Sequence, residues 1–317
     1  MNAECLKKLE AAIKKSKILE NSLFLQEHEK IYKLTKLCYY NMDWSSHQGP
    51  MSYCSRKDSL KLAKEYLETI DTGYGTFLQK DYLRKRIKIN PAYDGSRYIM
   101  KHLQPFHLFD IYYERIAIKE SNTLRDSQDI VHEYLHKLSL NVEENGDGNE
   151  NYHFYLEMVS ILGEFRFLNY LEGKNIVSSS ELELLREIRK ASYCHNARSY
   201  LLCEPFIDTL IKKGSLTEKN IRECTDFYDS LNNVVLVYAI KNFKQTPTLS
   251  YRYLLGTPLA ATLCDISNED FKMLIENLNK VERADYDKML SRLSNDPVLA
   301  SMKNQFESRN TEKTKRR

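Results

Sequence analysis

Val131-His132-Glu133-Tyr134-Leu135-His136-Lys137 decides how the rest of the chain is read. Its centre is an H-E-x-x-H pentapeptide. On an α-helix, residues i and i+4 share one face about one turn apart, so both imidazoles can reach one ion from one side. The carboxylate of Glu133 projects beside them and can take a proton from a metal-activated water. Two His ligands, an open coordination position and a Glu base are the working parts of a zinc peptidase. The pentapeptide also arises by chance in a chain with 8 His, so the flanking sequence must supply the rest of a site.

Outward from the motif, Asn122 or Asp126 can cap its helix, which is expected to run to about Leu140. Asp129 lies about one turn before His132. A carboxylate there can orient an imidazole or act as a solvated charge near the helix N-terminus. The acidic stretch 143–151 lacks the D-x-D-x-D-G frame of a calcium loop and reads as a solvated connector. A helix is then expected over about Tyr152–Leu171. Its broad apolar face includes Met158, Ile161, Leu162 and Leu168, and Glu157 and Glu164 interrupt that face seven residues apart. A carboxylate on the buried side of a helix needs a partner. A metal ion with His132 and His136 would be one. Glu157 is the best candidate for the third ligand, in a His-His-Glu arrangement. Glu164 is the alternative ligand, or a carboxylate that orients a ligand imidazole.

The other segments are mostly helical. With only 10 Gly and 7 Pro in 317 residues, a turn-rich β protein is disfavoured. Apolar spacing predicts two helices in 3–42, one over about 57–70, a break at Thr72–Gly75 and a helical piece over 77–84. Residues 90–96 form a turn-rich loop, and one or two short strands are expected in 97–118. Helices follow over 179–211, 217–242 and 250–263, with two or three short ones over 268–308. The expected organisation is an N-terminal helical segment (1–56), a catalytic domain (57–308) and a frayed basic tail (309–317). His47, His102, His107, His153 and His195 have no ligand spacing and read as structural or loop residues.

Net charge is +3 and balanced, which makes no electrostatic case for nucleic acid. The 7 Cys are scattered without a C-x-x-C pair, as structural thiols in a reducing compartment would be. There is no apolar h-region at the start and no run of transmembrane length. These features predict a cytoplasmic protein without membrane contact. A signal-less export route stays open, and no oligomeric state is specified.

Three segments resemble the zinc oligopeptidases of the oligoendopeptidase F and thimet oligopeptidase type. The first runs from Asn122-Thr123-Leu124-Arg125-Asp126 into Val131–His136, where that family has an Asn and an Asp before H-E-x-G-H. The second is Glu157-Met158-Val159-Ser160-Ile161-Leu162-Gly163-Glu164, similar to the family's E-x-x-S-x-x-x-E. The third is Pro247–Gly256, similar to its P-F-Y-x-Y-x-Y-A-x-G cleft segment. They occur in the family's order, and weaker likeness reaches back to about residue 60. The resemblance implies a mainly α gluzincin domain with at most a small β-sheet near the H-E-x-x-H helix. It implies one Zn²⁺ per chain on His132, His136 and Glu157, with Glu133 as base. It also implies that Tyr253, with Tyr251, stabilises the oxyanion. The family's Gly inside the pentapeptide is Leu135 here, its His before the Pro segment is Asn242, and its first cleft tyrosine is Leu249.

The expected function is hydrolysis of peptide bonds in a peptide or protein substrate by zinc-activated water, with Glu164 and Asp129 supporting the ligands. The alternative, motivated by the altered cleft residues, is a protein on a peptidase scaffold that captures a peptide or protein partner with little or no turnover.

Overall fold

The computed structural model describes residues 3–15, 18–20, 22–41, 51–103, 111–140, 150–224 and 247–293. The elements, in order, are α1 (Ala3–Lys15), a 3₁₀ turn (Ile18–Glu20), α2 (Ser22–Asn41), α3 (Arg56–Ile70), α4 (Thr72–Leu83), β1 (Ile87–Asn90), β2 (Arg97–Leu103) and β3 (Ile111–Lys119). They continue with α5 (Leu124–Leu140), α6 (Glu150–Gly173), α7 (Ser179–Lys213), α8 (Glu218–Cys224), α9 (Pro247–Thr262), α10 (Asn268–Asn277) and α11 (Arg283–Leu293). The protein is mainly α with one small sheet, as expected. The expected loop over 45–50, the acidic connector at 143–149, most of the helix expected after 224, Asn242 and the basic tail lie outside the described residues.

The chain divides into two compact units, one of residues 1–48 and 183–258, the other of 49–182 and 259–317. In the first, Leu6, Leu9 and Ile13 of α1 and Phe24, Ile31 and Leu34 of α2 are buried, as are Tyr193, Ala197, Tyr200, Phe206 and Ile207 of α7. The Glu10 carboxylate accepts the Leu216 N–H at 3.0 Å, which ties α1 to the turn before α8.

The second unit holds the H-E-x-x-H helix. Its sheet has the order β1-β3-β2, with β1 parallel and β2 antiparallel to the central β3. Ile87 and Ile89 pair with Ile116 and Ile118, and all four are buried. β1 was not anticipated, because a four-residue strand sits at the lower end of strand length and carries little period-2 signal. α5 and α6 pack against each other through Ile130, Val131, Tyr134 and Leu135 on one side and Met158, Ile161 and Leu162 on the other, all fully buried. Arg166 of α6 donates to the carbonyls of Cys264 and Ile266 and to Asn268 Oδ1, and its guanidinium lies 5.1 Å from the Phe271 ring centroid. This anchors α10 to α6. The Leu140 carbonyl at the end of α5 accepts from the Asn279 side chain, which satisfies one of the helix's terminal acceptors.

The break expected at Thr72–Gly75 is the first turn of α4. Asp71 serves both helices: its N–H bonds Leu67 O at the end of α3, and its carboxylate accepts the Gly73 N–H at 2.6 Å to start α4. A side chain at position 75 would collide with Glu68, with Cγ only 2.3 Å from an added Cβ. Gly75 therefore records a close approach of α4 to α3 rather than a break in helix.

Candidate metal centre

The first turn of α5 is tied by three hydrogen bonds to two side chains. Thr123 Oγ1 accepts the Arg125 N–H at 3.3 Å, and the Asp126 carboxylate reaches back to the Ser121 and Asn122 N–H groups at 2.8 and 3.0 Å. This is the logic of a capping box, spread over one more donor. Thr123 thus occupies the capping position that the sequence offered to Asn122 or Asp126. Asn122 instead takes a left-handed conformation with φ 56.

α5 presents His132 and His136 to α6, which presents Glu157 in return; all three are buried. The His132 and His136 Nε2 atoms are 3.0 Å apart, and Glu157 Oε2 lies 3.3 Å from the first and 3.8 Å from the second. Zinc bonds to His N and carboxylate O of about 2.0–2.2 Å in a tetrahedral shell put neighbouring donors about 3.3–3.5 Å apart. The observed triangle is close to one face of that shell, so the three donors fit one small ion.

The outer nitrogens are held as ligand imidazoles require. His132 Nδ1 lies 2.5 Å from Glu164 Oε1, and Glu164 Oε2 accepts from Gln128 Nε2 at 2.9 Å. His136 Nδ1 lies 2.8 Å from Ser160 Oγ. With Nδ1–H donating outward, each Nε2 keeps its lone pair for a metal. Burial opposes a charge on His132. The Glu164 carboxylate, hydrogen bonds to Glu157 and Glu164 and the charge of Glu133 nevertheless raise its pKa well above the usual imidazole value. A cation at the triangle would meet these same carboxylate charges.

The structure therefore brings His132, His136, Glu157 and Glu164 into one centre. Glu133, also buried, follows His132 on the same helix. Asp129 accepts from Ser96 Oγ at 2.5 Å, and that hydroxyl accepts the Lys119 N–H, so Asp129 joins α5 to the end of β3 while Glu164 takes the imidazole. Tyr251 and the half-buried Tyr253 lie on α9, within the unit formed by 1–48 and 183–258. Gln128 and Ser160, absent from the expected site, also join the centre. Their signal was spacing: Gln128 is four residues before His132, and Ser160 lies between Glu157 and Glu164 on α6.

No protein-family model and no curated protein matches this sequence. Solved structures do match its fold. One, assigned as an oligoendopeptidase F from Bacillus anthracis str. Ames, superposes with a TM-score of 0.53 at 10% identity over 97% of this chain and 56% of its own. A peptidase from Chlamydophila abortus gives 0.52 at 14% identity, over 92% of this chain and 51% of its own. PZ peptidase A with a bound inhibitor gives 0.50 at 12% identity, over 97% and 58%. The fold is that of peptidase structures, and this chain spans between half and three-fifths of their length. Its buried His-His-Glu group is one that could hold a metal ion.

Proposed function

We propose that the chain is a zinc-dependent peptidase. The observation that carries the reading is the buried triangle of His132, His136 and Glu157 with its two supported imidazoles. A zinc ion held there would supply Lewis-acid chemistry, polarising a substrate carbonyl and making water acidic near neutral pH. The chain's own groups would do the rest. Glu133 accepts the proton of the attacking water and returns it to the leaving amine. Glu164 and Ser160 fix the imidazole tautomers. The resemblance to the oligopeptidases gives the developing oxyanion to Tyr253, with Tyr251, where a phenol O–H is an effective donor. The substrate is a peptide or an exposed segment of a protein.

The test is metal content and peptide hydrolysis in wild type beside His136→Ala, Glu157→Ala and Glu133→Gln. About one zinc per chain is expected in wild type and in Glu133→Gln, and none at this centre in the ligand variants. Glu133→Gln should lower turnover by a factor on the order of 10² to 10⁴. Undiminished hydrolysis by Glu133→Gln would overturn the mechanism. Peptide capture without turnover, unchanged in that variant, would move the assignment to a binding protein on a peptidase scaffold.

A further inference from the structure

A second cluster of ligand-type side chains lies in the other unit. It is formed by His28 of α2 with Glu204 and Asp208 of α7. Glu204 and Asp208 are one turn apart on one face, and Tyr200, one turn earlier on that face, meets the His28 ring edge-on at 6.2 Å between centroids. Phe24, one turn before His28 on α2, meets the same ring edge-on at 5.1 Å between centroids. One His28 nitrogen and one carboxylate oxygen each from Glu204 and Asp208 lie within 4.8 Å of one another. His28 is only 7% exposed, and its Nε2 has no hydrogen-bond partner among the described residues. The Tyr200 hydroxyl is likewise buried without a partner.

A buried imidazole nitrogen without a partner beside two carboxylates is costly as it stands. A neighbouring cation relieves this incompletely. Lys212 bonds Asp208 Oδ2 at 2.8 Å, but its side chain is 65% exposed and leaves the other carboxylate oxygen available. A divalent ion would satisfy the imidazole and both carboxylates at once. One His and two carboxylates suit borderline ions such as Zn²⁺ or Co²⁺, with water completing the shell.

We infer that His28, Glu204 and Asp208 form a second divalent transition-metal site, which fastens α2 to α7. Its role is structural: the ion crosslinks two helices far apart in sequence, and its binding adds to the stability of the folded chain. The inference does not depend on the peptidase reading, since no residue is shared with the H-E-x-x-H centre.

The test uses the full chain carrying His136→Ala, which disables the first centre. Zn²⁺ and Co²⁺ are titrated by calorimetry and by visible absorption, with circular dichroism as the check on folding. The expected stoichiometry is about two ions in wild type and about one in the His136→Ala chain. Adding His28→Gln, or the near-isosteric pair Glu204→Gln and Asp208→Asn, should abolish the remaining binding and the Zn²⁺-dependent rise in melting temperature. The carboxamide pair carries the test should His28→Gln fail to fold. A folded His136→Ala chain that binds neither ion would overturn the inference and leave an ion-pair network around Lys212. So would binding that survives the carboxamide pair, or a preference for Ca²⁺ over Zn²⁺. One ion in wild type and the same one in His136→Ala would instead support this site and count against the first.

Discussion

Leu135 and Gly163 work as a pair. Where the resembled oligopeptidases carry Gly inside the pentapeptide, this chain carries a fully buried Leu135, and the clearance comes from Gly163 on the facing helix. A Cβ at position 163 would lie 1.9 Å from Leu135 Cδ1 and 3.5 Å from Phe271 Cζ. Gly163→Ala should therefore cost about 1–3 kcal/mol in chemical denaturation. Leu135→Ala, destabilising by itself as a buried truncation, should cost less in the Gly163→Ala chain than in wild type. Strict additivity of the two changes would show that the contact is not the cause. The imidazole supports make a separate prediction at this scale. Glu164→Gln keeps the size of the side chain but removes the charge that holds His132, so metal affinity should fall roughly 10- to 100-fold in a competition assay. Unchanged affinity would mean that Glu164 only fills space.

At the scale of elements, Asp71 joins three helices. It ends α3, starts α4 through the Gly73 N–H, and meets Lys272 of α10 at 2.5 Å. The Lys272 hydrogen bond, with those from Gly73 and Tyr74, holds its carboxyl below the usual 3.8. The sign follows directly. A folded-state pKa below the unfolded value gives stability that is present above about pH 3.8 and is lost as pH falls through the lower folded value. Asp71→Ala should cost about 1 kcal/mol near neutral pH, chiefly through the lost cap. The wild-type and variant denaturation midpoints should converge as pH falls through that lower value. A gap that persists there would assign the loss to packing instead of charge.

For the whole molecule, the strongest expectation concerns metal removal. α5 and α6 bury most of their described residues, and the proposed ligands come from both. An ion bound only by the folded chain adds stability by mass action. Chelation should lower the melting temperature of the Glu133→Gln chain, measured by calorimetry, and restoring Zn²⁺ should recover it. The chain carrying both His136→Ala and His28→Gln should not respond. A chelator shift that persists in that chain would place the ion elsewhere. No helix among the described residues is long and apolar enough to cross a membrane.

Much of the centre was legible in local spacing. His132 and His136 at i and i+4 can share an ion on any regular helix, and Glu157 and Glu164 stood out as carboxylates on an apolar face. Helix periodicity repeats every few residues, so the mainly α class and most element positions were readable too. The start of α4 was misread, because a glycine pair has the same local signature in a break and in a first turn packed closely against a neighbour. β1 was missed because four residues hold too little pattern, and its pairing with β3 is made only across the sheet. The division of labour among carboxylates was also beyond the sequence. Asp129 could orient an imidazole or lie solvated, and Glu164 could be a ligand or orient one; the packing of α5 on α6 puts Glu164 at His132 and Asp129 with Ser96. Leu135 and Gly163 likewise look like unrelated substitutions in one dimension. The chain's local periodicity determined which residues share a helix face; only tertiary packing determined which faces meet, because contacts between distant segments leave no spacing in the sequence that encodes them.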